Sequence, residues 1–254
     1  MGMKMSLPVS ARLLTLSTMV ACCGTAMAQS VNKPEIKDGD TWAYNVTEEK
    51  NTAAGITSMT RKWENTVARA GSKTFSLTAK QLDSTNLPKE FSRSSDWSNV
   101  ANVNGKPTML NHPYDFPMTP GKEWQVEYTT DNPDPRTKIE KVVRHYAVVG
   151  WTDIKVPAGT FHALKVEMEG EWFKEFNEVG PHASSMVTKQ QGNAIAVAQT
   201  SQASTPKPVS GKLYQAYWYV PEIKSHVKLI VEDYQAGGAL NSRITEELAS
   251  VHVN

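Results

Sequence analysis

Four segments of this chain alternate apolar and polar residues with a period of two, and that pattern restricts the fold more than any other feature. Trp42, Tyr44 and Val46 alternate with Thr41, Ala43, Asn45 and Thr47. Phe75, Leu77 and Ala79 alternate with Thr74, Ser76, Thr78 and Lys80. Trp124, Val126 and Tyr128 alternate with Gln125, Glu127 and Thr129, and Val227, Leu229 and Val231 alternate with Lys228 and Glu232. Successive strand side chains point to opposite faces, so each segment predicts a strand with one apolar and one wetted face. Such strands belong to antiparallel sheets covered on one side.

Turn chemistry links them. Ala70-Gly71-Ser72-Lys73 separates a strand near 57–69 from one near 74–82. Val156-Pro157-Ala158-Gly159-Thr160 predicts a tight hairpin between 141–155 and 160–175, because Pro and Gly favour the backbone angles of short turns. Gly237-Gly238 splits a last hairpin, pairing 225–235 with 241–252, and Asp131 to Pro135 is a further turn cluster. Helical periodicity is scarce; at most short helical turns are expected near 83–100. Residues 178–211 are rich in Ser, Thr, Gln, Ala and Pro and read as a disordered insert between two strands, with a functional flap as the other reading. The expected class is all-β and mostly antiparallel: a meander of about ten strands curled into a half-barrel or a two-sheet sandwich.

The first 28 residues have the parts of an export signal. Lys4 and Arg12 make a positive start, Leu13 to Cys23 is apolar, and Ala26-Met27-Ala28 offers small residues for cleavage before Gln29. The apolar run is shorter than the roughly 20 residues a spanning helix needs, and no later stretch is longer. The expectation is a signal peptide at 1–28 and one secreted, periplasmic β-rich domain over 29–254. Met19-Val20-Ala21-Cys22 offers the alternative of a lipoprotein acylated at Cys22. Cys22 and Cys23 are the only cysteines, so cleavage after Ala28 leaves a domain held by its core without disulfides. The chain carries 27 basic and 26 acidic residues; losing Lys4 and Arg12 with the leader makes the formal charge −1. That balance lacks the basic footprint of a nucleic-acid binder.

The C-terminal half carries a resemblance. Val156-Pro157-Ala158-Gly159-Thr160-Phe161, then Ala163 to Glu167, are followed by Tyr217-Trp218-Tyr219-Val220-Pro221-Glu222 and Val227-Lys228. Together with Tyr114 to Pro117 and Pro120 to Trp124, these motifs resemble an uncharacterised bacterial envelope β-rich family, a domain of unknown function, over roughly residues 110–235. The resemblance implies a periplasmic β-rich fold, similar to the curved half-barrels of lipoprotein carriers, and no catalytic residues. The insert at 178–211 departs from the shorter connection it implies.

Candidate chemistry is sparse. The six histidines (112, 145, 162, 182, 226 and 252) show no HxH, HxxxH or HExxH spacing, and a zinc site needs three or four converging ligands; no metal or cofactor is expected. His162 shares a strand face with Leu164, Val166 and Met168 and is the histidine kept as a candidate. Glu167, Glu169 and Glu171 project from one strand face, neighbours roughly 7 Å apart, but they point the same way instead of flanking a bond as glycosidase carboxylates do. No GxSxG motif, phosphate loop or mature cysteine offers catalytic or nucleotide chemistry, and no enzymatic activity is expected.

Aromatics are the strongest lead: seven Trp and eight Tyr. Trp42, Tyr44, Trp63, Phe75, Trp124 and Tyr128 are expected on one side of a curled sheet, forming with His162 a concave site for a lipid or acyl chain. The competing expectation is that these rings fill the core and that the surface docks to an envelope protein partner.

Overall fold

The computed structural model describes residues 29–178 and 206–254, together with two short strands at 184–186 and 197–199. The expected signal peptide, Cys22, and most of the insert expected at 178–211 lie outside the described residues. The strands are β1 (Thr41–Thr52), β2 (Gly55–Ala70), β3 (Thr74–Gln81), β4 (Lys89–Ser94), β5 (Asn99–Val103), β6 (Lys106–Asn111) and β7 (Glu123–Asp131). They continue with β8 (Thr137–Val156), β9 (Gly159–Phe176), β10 (Ser184–Met186), β11 (Val197–Gln199), β12 (Val209–Val220), β13 (Ser225–Gln235) and β14 (Leu240–His252). Among the described residues, one 3-10 turn spans Pro221–Ile223.

Ten strands form one antiparallel sheet in the order β4-β3-β2-β1-β14-β13-β12-β9-β8-β7. Two meanders run outward from its centre, and the pairing of β1 with β14 joins them, Trp42 lying opposite Val251. The sheet curls without closing into a barrel, and the class is all-β. Each alternating segment lies within a strand, and the expected hairpins at 70–73, 156–160 and 237–238 are made by β2–β3, β8–β9 and β13–β14. The region 83–100 forms no helix: it holds β4, whose Lys89 to Ser94 pair with β3, and the start of β5. A free edge on β3 binds a further strand, and cross-strand hydrogen bonds there outweigh weak local helical preference. Val209 to Gly211, read as insert, belong to β12, while Ser184–Met186 pairs with Val197–Gln199.

The inner face of the curl carries two core clusters. One gathers Tyr114, Met118, Tyr146, Val148, Leu164, Val166, Met168, Tyr217 and Tyr219. The other gathers Trp42, Tyr44, Val67, Phe75, Leu77, Val227 and Leu248. Trp97 packs against both. Trp97, Tyr114 and Met118 come from loops flanking the β5–β6 hairpin, so the chain's own loops fill the lower part of the inner face.

That plug is fastened by side chains. Trp97 Nε1 donates to Lys224 O (3.0 Å), Trp124 Nε1 to His112 O (2.8 Å) and Tyr146 Oη to Asn111 Oδ1 (2.7 Å). The hairpin turns at Asn104-Gly105, both at positive φ, as a two-residue type I′ connection requires. Asp40, fully buried, accepts from the Lys37 and Asn254 amides and from Lys224 Nζ at 2.8–2.9 Å. One carboxylate thereby ties the entry to β1, the turn before β13 and the C-terminus, its charge compensated as a buried carboxylate requires.

Candidate functional site

Strand register lays the inner-face side chains in rows across the sheet. One row runs Val148, Val166, Tyr217, Leu229, Glu246, Val46, Arg61. The next runs Tyr146, Met168, Gln215, Val231, Ile244, Glu48, Met59. At the β8–β9 side these rows are buried. Towards β14 and β2 they emerge from beneath the plug, and Leu229, Val231, Ile244 and Val46 are only half-buried. This emerging part, bordered by Trp63, Leu213 and Trp172, is the candidate site. Trp172 lies across Gly211, where a Cβ would sit 2.6 Å from the indole ring, and its Nε1 donates to Asp233 Oδ1 at 3.0 Å.

The floor of the site is polar and aromatic. Tyr44 stacks on His226, ring centroids 4.9 Å apart, and its hydroxyl donates to His226 O (2.9 Å) beside Ser225 Oγ (3.3 Å). His226 Nε2 lies 3.2 Å from Glu246 Oε2. Tyr217 meets Tyr114 edge-on at 5.7 Å and His226 at 6.3 Å. Burial holds the Tyr44 and Tyr217 hydroxyls well above the ordinary tyrosine range, with the Glu246 charge adding to it. Tyr146 is pushed up to about 12, chiefly by burial. The Tyr114 hydroxyl is buried and has no hydrogen-bond partner among the described residues.

The sequence-predicted residues separate into four environments. Trp42 and Phe75 are buried edge-on against Trp97, at 5.3 and 5.1 Å, and Trp42 Nε1 donates to Ile223 O (2.7 Å). Tyr44 is buried in the floor and Trp63, opposite it in register, is half-buried at the border. Trp124 stacks flat on Tyr146 at 5.2 Å, and Tyr128 lies beneath the Arg144 guanidinium at 5.6 Å. His162 stands apart on the rim, its side chain 63% exposed, stacked on Trp151 and 2.6 Å from Asp153 Oδ1. Alternation gives it the parity of Leu164, but the covered face ends before it. Sequence reasoning missed Tyr114, Tyr217, His226 and Glu246; Glu246 and His226 meet only through the β13–β14 register.

Two other features carry chemistry-bearing residues. Ser98 Oγ lies 2.5 Å from His112 Nδ1, and His112 Nε2 faces Asp115 Oδ1 at 3.4 Å. The residue types match a nucleophile–base–acid series, which no sequence context singles out. Ser98 is fully buried and Lys122 holds Asp115 at 2.8 Å, so the network fastens the turn before β5 to the segment after β6. On the outer face, two open grooves of about 600 and 450 Å³ share His145 and Glu169. There Glu167 accepts from Lys165 (2.5 Å) and Tyr214 (2.9 Å), while Glu169 and Glu171 are exposed. Among the described residues, no group of three His, Cys, Asp or Glu side chains converges to hold a metal.

No protein-family model matches the chain, and no curated protein matches it. Two solved structures align with 88% of this chain and all of their own. One is a "putative exported protein with YmcC-like fold" from Bacteroides fragilis, at 15% identity and a TM-score of 0.41. The other is a "putative lipoprotein" from Parabacteroides distasonis, at 12% identity and a TM-score of 0.43. Likeness at that level transfers no function to this chain. No helix among the described residues is long and apolar enough to cross a membrane.

Proposed function

We propose that this chain is an exported envelope protein of the periplasm that binds a hydrophobic ligand, a lipid or acyl chain, without transforming it. The observation that carries this reading is the emerging part of the inner face, where Val46, Leu229, Val231 and Ile244 stay half-buried beside the plug. Contiguous apolar side chains beside a few polar groups are the usual lining of small-molecule sites. The leader-like first 28 residues support the compartment, and the PAGTF and YWYVPE motifs support membership of an envelope family. Native mass spectrometry on protein purified gently from its own envelope tests the reading. The expected result is an added mass of a few hundred daltons, on the order of one lipid, lost on organic extraction. Apo protein that also fails to take up added acyl chains would contradict it.

A second reading, docking to another envelope protein, draws on one feature. Strand β4 ends the sheet, and Leu82, Leu87 and Phe91 near it are 45%, 88% and 42% exposed. Edge strands present unpaired backbone groups to other chains. Co-purification abolished by Phe91→Lys, with ligand uptake intact, would favour it.

A further inference from the structure

We propose that two copies of this chain join edge to edge through the unpaired end of β2, in an antiparallel pairing centred on Ser58. The inference stands on the sheet edge alone and does not depend on what the inner face binds.

The β1–β2 hairpin outruns its neighbour. β2 pairs with β1 as far as Gly55, but its ladder with β3 stops at Lys62, whose carbonyl accepts from the Leu82 amide at 2.8 Å. The Lys62 amide faces the same side, towards Asp83 Oδ2 at 3.4 Å. Backbone pairing alternates between the two edges of a strand. Ile56, Ser58 and Thr60 therefore turn their N–H and C=O groups to the side where, among the described residues, no strand pairs with them. Residues 51–60 are all exposed and none is charged; Ile56 is 70% and Met59 54% exposed. Proteins ordinarily guard a free edge with charges, proline, a bulge or a covering loop. The two ends of this sheet are guarded: β4 carries Lys89, Glu90 and Arg93. At β7 the Asn104 side chain caps Thr129 O and the Asp131 amide at 3.1 and 3.0 Å. Residues 55–60 have no charge and no proline, and their register with β1 has no bulge.

A second copy fits this edge in one register. About a two-fold axis at Ser58, Ser58 meets Ser58, and Ile56 of each copy meets Thr60 of the other. Each of these pairs exchanges two hydrogen bonds, so every free backbone group of the edge is satisfied. An axis at Ile56 leaves Thr60 facing past the hairpin turn. An axis at Thr60 sets Ser58 against Lys62, whose groups Leu82 and Asp83 already hold. With the axis at Ser58, Met59 lies across from Thr57 and Ile56 across from Thr60, pairs of the kind that stabilise sheets. Charge is also compatible: Arg61 and Lys62 fall opposite Gly55 and Ala54, so no like charges oppose each other. The axis is perpendicular to the sheet, so inner face continues into inner face. The row that ends at Met59 runs on to Thr57 of the second copy.

Sedimentation equilibrium of the purified protein over a wide range of concentration tests this. The wild type is expected at twice the mass of one chain, falling towards a single chain on dilution. Ser58→Pro removes an N–H that points away from β1, so the hairpin is kept while two hydrogen bonds are lost, one from each copy. Association is then expected to weaken about tenfold or more. Ser58→Lys and Ser58→Glu set like charges face to face, and each is expected to weaken association about fivefold. An equimolar mixture of these two is expected to dimerise at least as well as the wild type. A wild type monomeric at every concentration, a dimer indifferent to all three substitutions, or a mixture that does not recover overturns the proposal. A wild type that is monomeric alone but retains a different protein, lost in Ser58→Pro, overturns it in favour of a foreign strand on this edge.

Discussion

The Trp97 indole donates to the carbonyl of Lys224 across 127 residues of sequence, at 3.0 Å, and this bond pins the plug to the base of the sheet. Trp97 also joins the two core clusters, touching Trp42 and Phe75 edge-on. Trp97→Ala is expected to lower stability by about 3 kcal/mol, as large-to-small changes at packed aromatics do. Trp97→Phe is expected to cost about 1 kcal/mol, the scale of one hydrogen bond. Urea unfolding of both variants measures the difference; a Trp97→Phe variant as stable as the wild type would mean that the hydrogen bond contributes nothing.

Trp63 and Trp124 were equivalent as sequence and are distinct in the fold. Trp124 stacks on Tyr146 and holds His112 O, so Trp124→Ala is expected to lower the melting temperature by several degrees, with a cost of about 2–3 kcal/mol. Trp63 is half-buried at the border of the open rows, and Trp63→Ala is expected to weaken ligand uptake several-fold with less than about 1 kcal/mol of stability lost. Thermal melts and binding titrations on the two variants check the contrast; the opposite pattern would displace the site from the β2 side.

The strands were legible because a one-sided sheet imposes period two, and β1, β3, β7 and β13 each obey it with bulky residues inward. The hairpins were legible because Pro157 and Gly237-Gly238 restrict or release the backbone. The plug was not. Trp97, Tyr114 and Met118 sit in loops, where no periodicity reports burial, so the space expected for a ligand is partly filled by the chain itself. Bulges have no period-two signature either: the register shifts at Val148/Gly150 and Trp218/Tyr219 interrupt the alternation. The Glu246–His226 pair depends on which residues two strands place side by side, which alternation alone leaves open.

Acid sensitivity follows from Glu167. The hydrogen bond from Lys165 holds its carboxyl below the ordinary glutamate range, burial opposes this, and Tyr214 adds to the lowering. A folded-state pKa below the unfolded value gives stability that is present above the unfolded value and lost as pH falls through the folded one. Wild-type protein is therefore expected to lose stability steadily as pH falls below about 4.5, and Glu167→Gln to flatten that part of the profile. Denaturant midpoints measured across this interval decide it; identical slopes would remove Glu167 from the account.

The central claim is that the ligand lies on the inner face beside the plug, and its location can be read directly. Residues 29–254 contain no cysteine, so in protein that starts at Gln29 single cysteines report without background. Val231→Cys places a label in the open row, and Thr245→Cys, opposite Ile230, places one on the outer face. With an environment-sensitive fluorophore at each position, ligand addition is expected to shift the emission at Val231→Cys to the blue and leave Thr245→Cys unchanged. A shift at Thr245→Cys alone would put the ligand on the outer face and contradict the account.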